Sequence, residues 1–197
     1  MDKLVIDIET KNSFADVGGQ EHLKELSASF VGVYSYNKNK YFSFFSDECE
    51  LAPGNKGQFA ELEKLWKTAG LIIGFSINRF DVPVMEKYFK FDIWSVPRLD
   101  LLEEVEIGFG NRVSLDVLAK TNLGIGKTHH GLEAIRFYKE KNWNELESYC
   151  LNDVKITKDL YELAKKQKHL SIPDRYTGVL TKVNFNFPEV SFPQTLL

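Results

Sequence analysis

Sulfur is scarce in this chain. Its two cysteines, Cys49 and Cys150, are too few for a disulfide framework and too far apart for the paired spacing of a zinc site. A reducing, intracellular setting, hence a cytoplasmic one, is the expectation. No apolar run approaches the length of a membrane-spanning helix, and Met1-Asp2-Lys3 leads into a run too short for a secretory signal. Neither sign of charge predominates: Lys plus Arg number 25 and Asp plus Glu 28, for a net charge of -3. No global attraction to nucleic acid follows from that balance, although local basic patches steer binding more than the total does. Internal repeats and low-complexity tracts are also missing. What remains is 197 residues with 43% hydrophobic and 27% charged content, the make-up of one globular domain with a sizeable core.

The stretch Leu4-Val5-Ile6-Asp7-Ile8-Glu9-Thr10 reads as a central strand with hydrocarbon on both faces. Side chains alternate along a strand, so Asp7 and Glu9 project together near its end. Two ionised carboxylates side by side in a partly buried place repel each other, and a bound cation removes that cost. The competing account is a strand end whose acids reach solvent.

Downstream, Glu21 to Leu26 is expected to form a short helical turn, and Ser29 to Tyr36 and Tyr41 to Phe45 to form a hairpin around Asn37-Lys38-Asn39-Lys40. Phe59, Leu62, Leu65 and Trp66 recur at helical spacing over Gln58 to Thr68, with Gly70 as the expected stop. Leu71 to Phe75 reads as a buried strand, and a helix is expected from Asp81 to Tyr88 with Pro83 in its first turn. Ser114 is a natural N-cap for Leu115 to Lys120. Gly124 to Gly131 is a glycine-rich loop, Leu132 to Lys141 a helix and Trp143 to Lys168 a long helix. Pro173, Pro188 and Pro193 then punctuate an aromatic tail with short strand-like pieces. Leading strands and later helices favour a mixed-sheet α/β domain over residues 1–170, with residues 171–197 as a tail packed on it.

Asp153 is the one charge inside the apolar stripe of the long helix, whose rows are Leu146, Cys150, Val154, Thr157, Tyr161, Ala164 and Tyr149, Asp153, Ile156, Leu160, Leu163. An unpaired buried carboxylate costs several kcal/mol, on the order of a whole stability margin. Asp153 therefore needs a partner unless the stripe edge is wet, and Tyr149, one turn earlier, shares its face. Asp81 follows a buried strand and opens a helix, which suits either an N-cap or a site at the carboxyl end of the strands. Asp7, Glu9, Asp81 and Asp153 together offer oxygen ligands of the kind that hold magnesium or manganese. A pair of such ions ~3.5–4 Å apart is the usual device for in-line attack on a phosphodiester, with a tyrosine available to orient the water.

Three segments in this order resemble the DEDD superfamily of 3′–5′ exonucleases, tyrosine subclass: Asp7-Ile8-Glu9-Thr10, then Phe80-Asp81, then Tyr149-Cys150-Leu151-Asn152-Asp153. The nearest likeness is to the proofreading exonuclease domain of family-B DNA polymerases and its stand-alone relatives. Ser114 to Ala119 and Gly131 to Ala134 add to it, and it extends over residues 1–165. The resemblance implies a ribonuclease-H-like mixed sheet flanked by helices, with release of nucleoside monophosphates from a 3′ end of single-stranded nucleic acid, DNA being the expected polymer. It implies two Mg2+ or Mn2+ ions on Asp7, Glu9, Asp81 and Asp153, with Tyr149 positioning the attacking water. Thr10, Ser76, Asn78 and Phe80 are the implied substrate contacts. The polymerase relatives usually have an asparagine four residues before Phe-Asp; here that place is Ser76, and the nearby asparagine is Asn78. Any polymerase or helicase partner is expected on a separate chain. A non-catalytic nucleic-acid-binding module and a structure-selective endonuclease are the alternatives.

Other signals count for less. Gly124-Ile125-Gly126-Lys127-Thr128 lacks the leading glycine of a phosphate loop, since Thr121 stands there. His129-His130 has no Cys or His partners to complete a zinc set. Asp100 suits a turn or cap. Lys165-Lys166-Gln167-Lys168-His169 suits a solvated helix end, and Phe185, Phe187 and Phe192 suit packing of the tail.

Overall fold

The structure is a computed structural model, and it describes residues 1–46, 58–126 and 132–187. Its centre is strand β1 (Asp2–Thr10). β2 (Ala28–Ser35) pairs antiparallel with β1 on one side, and β3 (Lys40–Phe45) pairs antiparallel with β2. On the other side β4 (Ala69–Gly74) runs parallel to β1, and β5 (Arg98–Asp100) parallel to β4. The five-stranded order is β3-β2-β1-β4-β5, the mixed sheet expected from the pattern.

Alternation along β1 divides the core. Leu4, Ile6 and Ile8 pack beneath α1 (Gln58–Lys67) and α2 (Asp81–Met85), with Phe59, Leu62 and Trp66 from the first and Val82, Val84 and Met85 from the second. Val5 faces the other way, into a cluster with α4 (Leu115–Leu123) and α6 (Trp143–Gln167) that includes Leu118, Val154, Ile156 and Leu160. A third group joins Phe30 and Phe45 of the hairpin to Phe137 of α5 (Glu133–Lys139) and to Leu146 and Tyr149 of α6. Each fully buried aliphatic side chain of this kind contributes ~1.5–3 kcal/mol.

Helix α6 lies unusually close to the sheet because Gly32 sits beneath it. A Cβ at Gly32 would stand 3.0 Å from Val154 Cγ2, 3.1 Å from Cys150 Sγ and 3.2 Å from Leu151 Cδ2. Gly74, the last residue of β4, plays a similar part on the other side of β1: a Cβ there would collide with the Ile77 side chain and stand 3.1 Å from the Ile6 carbonyl. The chain can turn straight from β4 towards α2 only without that atom.

Several boundaries differ from those expected. Gly70 does not stop α1; the helix ends at Lys67, and Gly70 lies inside β4. Asp81 is not an N-cap: it is the first residue of α2, Phe80 holds the cap position, and no side-chain cap bond forms. The 3-10 helix Glu86–Tyr88 continues α2, and another covers Gln20–Glu25. The sequence reading assigned nothing to β5 or to α3 (Leu101–Phe109). Asp100 caps α3, accepting from Leu102 N at 3.0 Å. After α6 a separate two-stranded sheet forms from β6 (His169–Pro173) and β7 (Leu180–Asn184). Beyond it Phe185 is buried and stacks on Phe187, which tilts against Tyr161 of α6. Cys49, Lys127, His129, His130 and Phe192 lie outside the described residues. No described helix is long and apolar enough to cross a membrane.

Replacing Gly32 with alanine is expected to lift α6 off the sheet. Overpacking of this kind costs ~1–3 kcal/mol. Denaturant unfolding of Gly32→Ala checks it; an unchanged midpoint contradicts the tight seat described for α6.

Candidate active site

Register places the acids of β1. Asp7 stands opposite Gly32 and Glu9 opposite Phe30, both on the face that α6 covers. With no side chain at Gly32, α6 brings Cys150 down onto Asp7: Sγ lies 3.3 Å from Asp7 Oδ2 and 3.3 Å from the Asp7 carbonyl oxygen. One donor atom each from Asp7, Glu9 and Cys150 lies within 4.8 Å of the others. Cys150 is buried and free, and burial pushes its thiol up, with the charges of Asp7 and Glu9 adding to the effect. The thiol is therefore a protonated donor towards Asp7 at neutral pH. Sequence reasoning missed this contact, because Cys150 read as one more apolar residue of the stripe.

One turn apart on α6, Tyr149 and Asp153 are 5% and 4% exposed. Asp153 is thus not a wet stripe edge. The Tyr149 phenol is pushed up, first by burial and then by the negative charges of Glu9, Asp153 and Asp7. Acids from the first strand and the last long helix therefore bear on one hydroxyl. That hydroxyl stays protonated through the neutral range, suited to holding a water and not to removing its proton.

Asp81 arrives from the other layer. β1 and β4 are parallel, so the turn that follows β4 emerges beside the carboxyl end of β1. Asp81 is 3% exposed, and its carboxyl is raised well above 3.8 by burial first, then by Asp7 and Asp100, against backbone amides at Asp81 and Ile8. Its Oδ1 is buried with no hydrogen-bond partner among the described residues. An orphaned carboxylate oxygen of this kind, next to a second acid, fits a divalent cation. The acids offer oxygen donors of the kind that suit hard divalent ions, with the Cys150 sulfur beside them. Asp81 and Asp153 are not in the tight group formed by Asp7, Glu9 and Cys150; they reach it through their charge on Asp7 and on Tyr149.

The residues implied as substrate contacts separate into two sets. Thr10 and Phe80 line a cleft of about 380 Å3 with Phe14, Leu26, Leu132 and Ile135. Thr10 Oγ1 donates to the Asn12 carbonyl at 2.8 Å, and Phe80 meets Phe14 edge to face at 6.0 Å. Ser76 and Asn78 do not line this cleft. The Asn78 side chain donates to Glu103 Oε2 at 2.7 Å and accepts from Arg98 Nε at 2.9 Å. Ser76 is held in a left-handed conformation, φ 66°. Phe14, Leu132 and Ile135 carried no recognisable signal in the sequence, since nothing sets them apart from other apolar residues that pack in a core.

A family described as RNase_H superfamily has a model that matches residues 4–165. Among solved structures, the family B DNA polymerase from the hyperthermophilic archaeon Pyrobaculum calidifontis is similar, with a TM-score of 0.61 and 16% sequence identity. The likeness covers 84% of this chain and 24% of the polymerase, and at that identity it shows a shared fold. No curated protein gives a significant match.

Asp81 makes stability depend on pH. Its folded-state value lies above 3.8, so its favourable contribution to the metal-free protein is complete below 3.8 and is lost as pH rises through the raised value. Asp81→Asn is expected to be more stable than the parent at neutral pH without metal, and to flatten that dependence. A hundredfold excess of Mn2+ over its Kd should stabilise the parent by about 2.7 kcal/mol, and the variant by less. Thermal melts across pH, with and without Mn2+, check both; a variant no more stable than the parent at neutral pH removes the strain assigned to Asp81.

Proposed function

The chain belongs to the RNase_H superfamily, and from that membership we propose that it is a metal-dependent 3′–5′ exonuclease acting on single-stranded nucleic acid, DNA in the first instance. The observation that carries the reading is the gathering of Asp7 and Glu9, with donor atoms within 4.8 Å, on the face of β1 that α6 covers with buried Tyr149 and Asp153. Burying acids on one face is costly for a fold alone, whereas a phosphodiesterase needs them to hold its ions.

In this reading Asp7, Glu9, Asp81 and Asp153 hold two Mg2+ or Mn2+ ions. When bound, such ions supply a nucleophilic water at neutral pH and stabilise the leaving oxygen. Tyr149 orients the water through its phenol. Cys150 keeps the Asp7 carboxylate turned towards the other donors by its S–H contact. The cleft of Thr10, Phe14 and Phe80 receives the terminal base by stacking and apolar contact, which suits an enzyme that must accept every base. Backbone contacts should then dominate affinity, and salt should weaken binding. A polymerase or helicase is the kind of partner this activity would serve.

Single strands labelled at either end test the reading with Mn2+ or Mg2+. The parent should shorten strands stepwise from the 3′ end, and Asp7→Ala should not. Internal cuts would point to an endonuclease, and binding without turnover to a non-catalytic module; either overturns the proposal. Tyr149→Phe should lower kcat by up to ~100-fold, short of the upper range for a true acid–base group. The parent's pH–rate profile should show no limb from a phenol below about pH 10.

A further inference from the structure

Asp100 is a buried acid that the chemistry above does not use. It ends β5, directly across from Gly74 at the end of β4. Its Oδ1 accepts from Ser76 N at 2.7 Å and from Leu102 N at 3.0 Å, and its Oδ2 accepts from Asn78 N at 3.0 Å. Both oxygens are thus occupied by backbone amides. One of these amides begins α3; the other two belong to the turn that leads from β4 to Asp81.

That turn is not one the chain adopts readily. Ser76 is a non-glycine residue at φ 66°, a conformation that persists only where its surroundings hold it. Its carbonyl accepts from Arg79 N at 3.2 Å and Phe80 N at 3.0 Å, which folds the turn back on itself. The Ile77 carbonyl accepts from Val82 N at 2.9 Å, so the turn is continuous with the first turn of α2 and therefore with Asp81. Further grips come from the same β5–α3 unit: Glu103 and Arg98 on the Asn78 side chain, and Glu106 on Arg79 with an Arg79 Nη2 to Glu106 Oε2 distance of 2.7 Å.

We infer that Asp100 is the positioning residue of the metal centre: its carboxyl group clamps the Ser76–Asn78 turn and thereby sets Asp81 against Asp7. The inference rests on the metal-dependent reading of the site. It also accounts for Asn78, whose side chain serves the clamp and not the substrate. Supporting groups of this type typically matter by about 10–100-fold in metal affinity or activity.

Asp100→Ser separates the two jobs of the carboxyl group. Serine retains an acceptor for the amide that opens α3, since it is a good N-cap, but its single short oxygen cannot also bridge the turn. Calorimetric titration with Mn2+, thermal melting and strand-shortening kinetics are measured on the full chain. The expected result is a folded protein whose Mn2+ Kd rises about 10–100-fold and whose kcat falls with KM little changed. Asp100→Asn, nearly isosteric, replaces one acceptor with a donor facing an amide, and covers the case in which the serine variant does not fold. A folded variant with parental Mn2+ affinity and parental kcat overturns the clamp. If the parent binds Mn2+ but shortens no strand, the nuclease reading falls, and the clamp is decided by Mn2+ affinity alone. If the parent binds no Mn2+, both fall.

Discussion

Repulsion between acids confined at one buried edge of a sheet is the constraint around which this protein is arranged. Asp7 and Asp81 come from opposite layers and the charge of Asp7 raises the cost of ionising Asp81, while Glu9 and Asp153 add charge around Tyr149. Burial of these acids near one another costs stability in the metal-free protein. The rest of the fold supplies the stiffness that prevents these groups from drifting apart or into water.

That stiffness comes from close backbone approach. Gly32 lets α6 rest on β1 and β2, and Gly74 lets the chain leave β4 immediately for α2. Asp100 then fixes the connecting turn through amides. A centre built this way depends on a few residues that have little or no side chain, or that point away from the reacting groups. The RNase_H superfamily membership and the fold shared with a family B DNA polymerase describe the frame. The acids, the tyrosine and the apolar cleft describe what the frame carries.

Much of this was legible in the sequence, for physical reasons that differ by element. β1 announced itself because two acids interrupt hydrocarbon on a strand covered on both faces, and α6 because Asp153 breaks a long 3.6-residue period. The resemblance to polymerase proofreading domains anticipated the fold. β5 was illegible because it is three residues long, too short for any alternation to register. α3 was passed over although Asp100 and Gly110 bracket it with ordinary start and stop signals. Gly70 misled because a glycine after a helix commonly stops it, whereas here the helix had already ended and the glycine lies in β4 at a register irregularity between Ala69 and Leu71. That the Asn78 side chain bonds Arg98 and Glu103 was not legible, because the order of residues says nothing about which way an amide points.

The contact between Cys150 and Asp7 joins positions 143 residues apart. Chain order therefore imposes a schedule. Asp7 and Glu9 are made early, yet they meet Cys150 only after α6 has emerged and docked. Pairings of such long sequence separation also form slowly. The cluster of Asp7, Glu9 and Cys150 is in this way completed only once α6 has been synthesised.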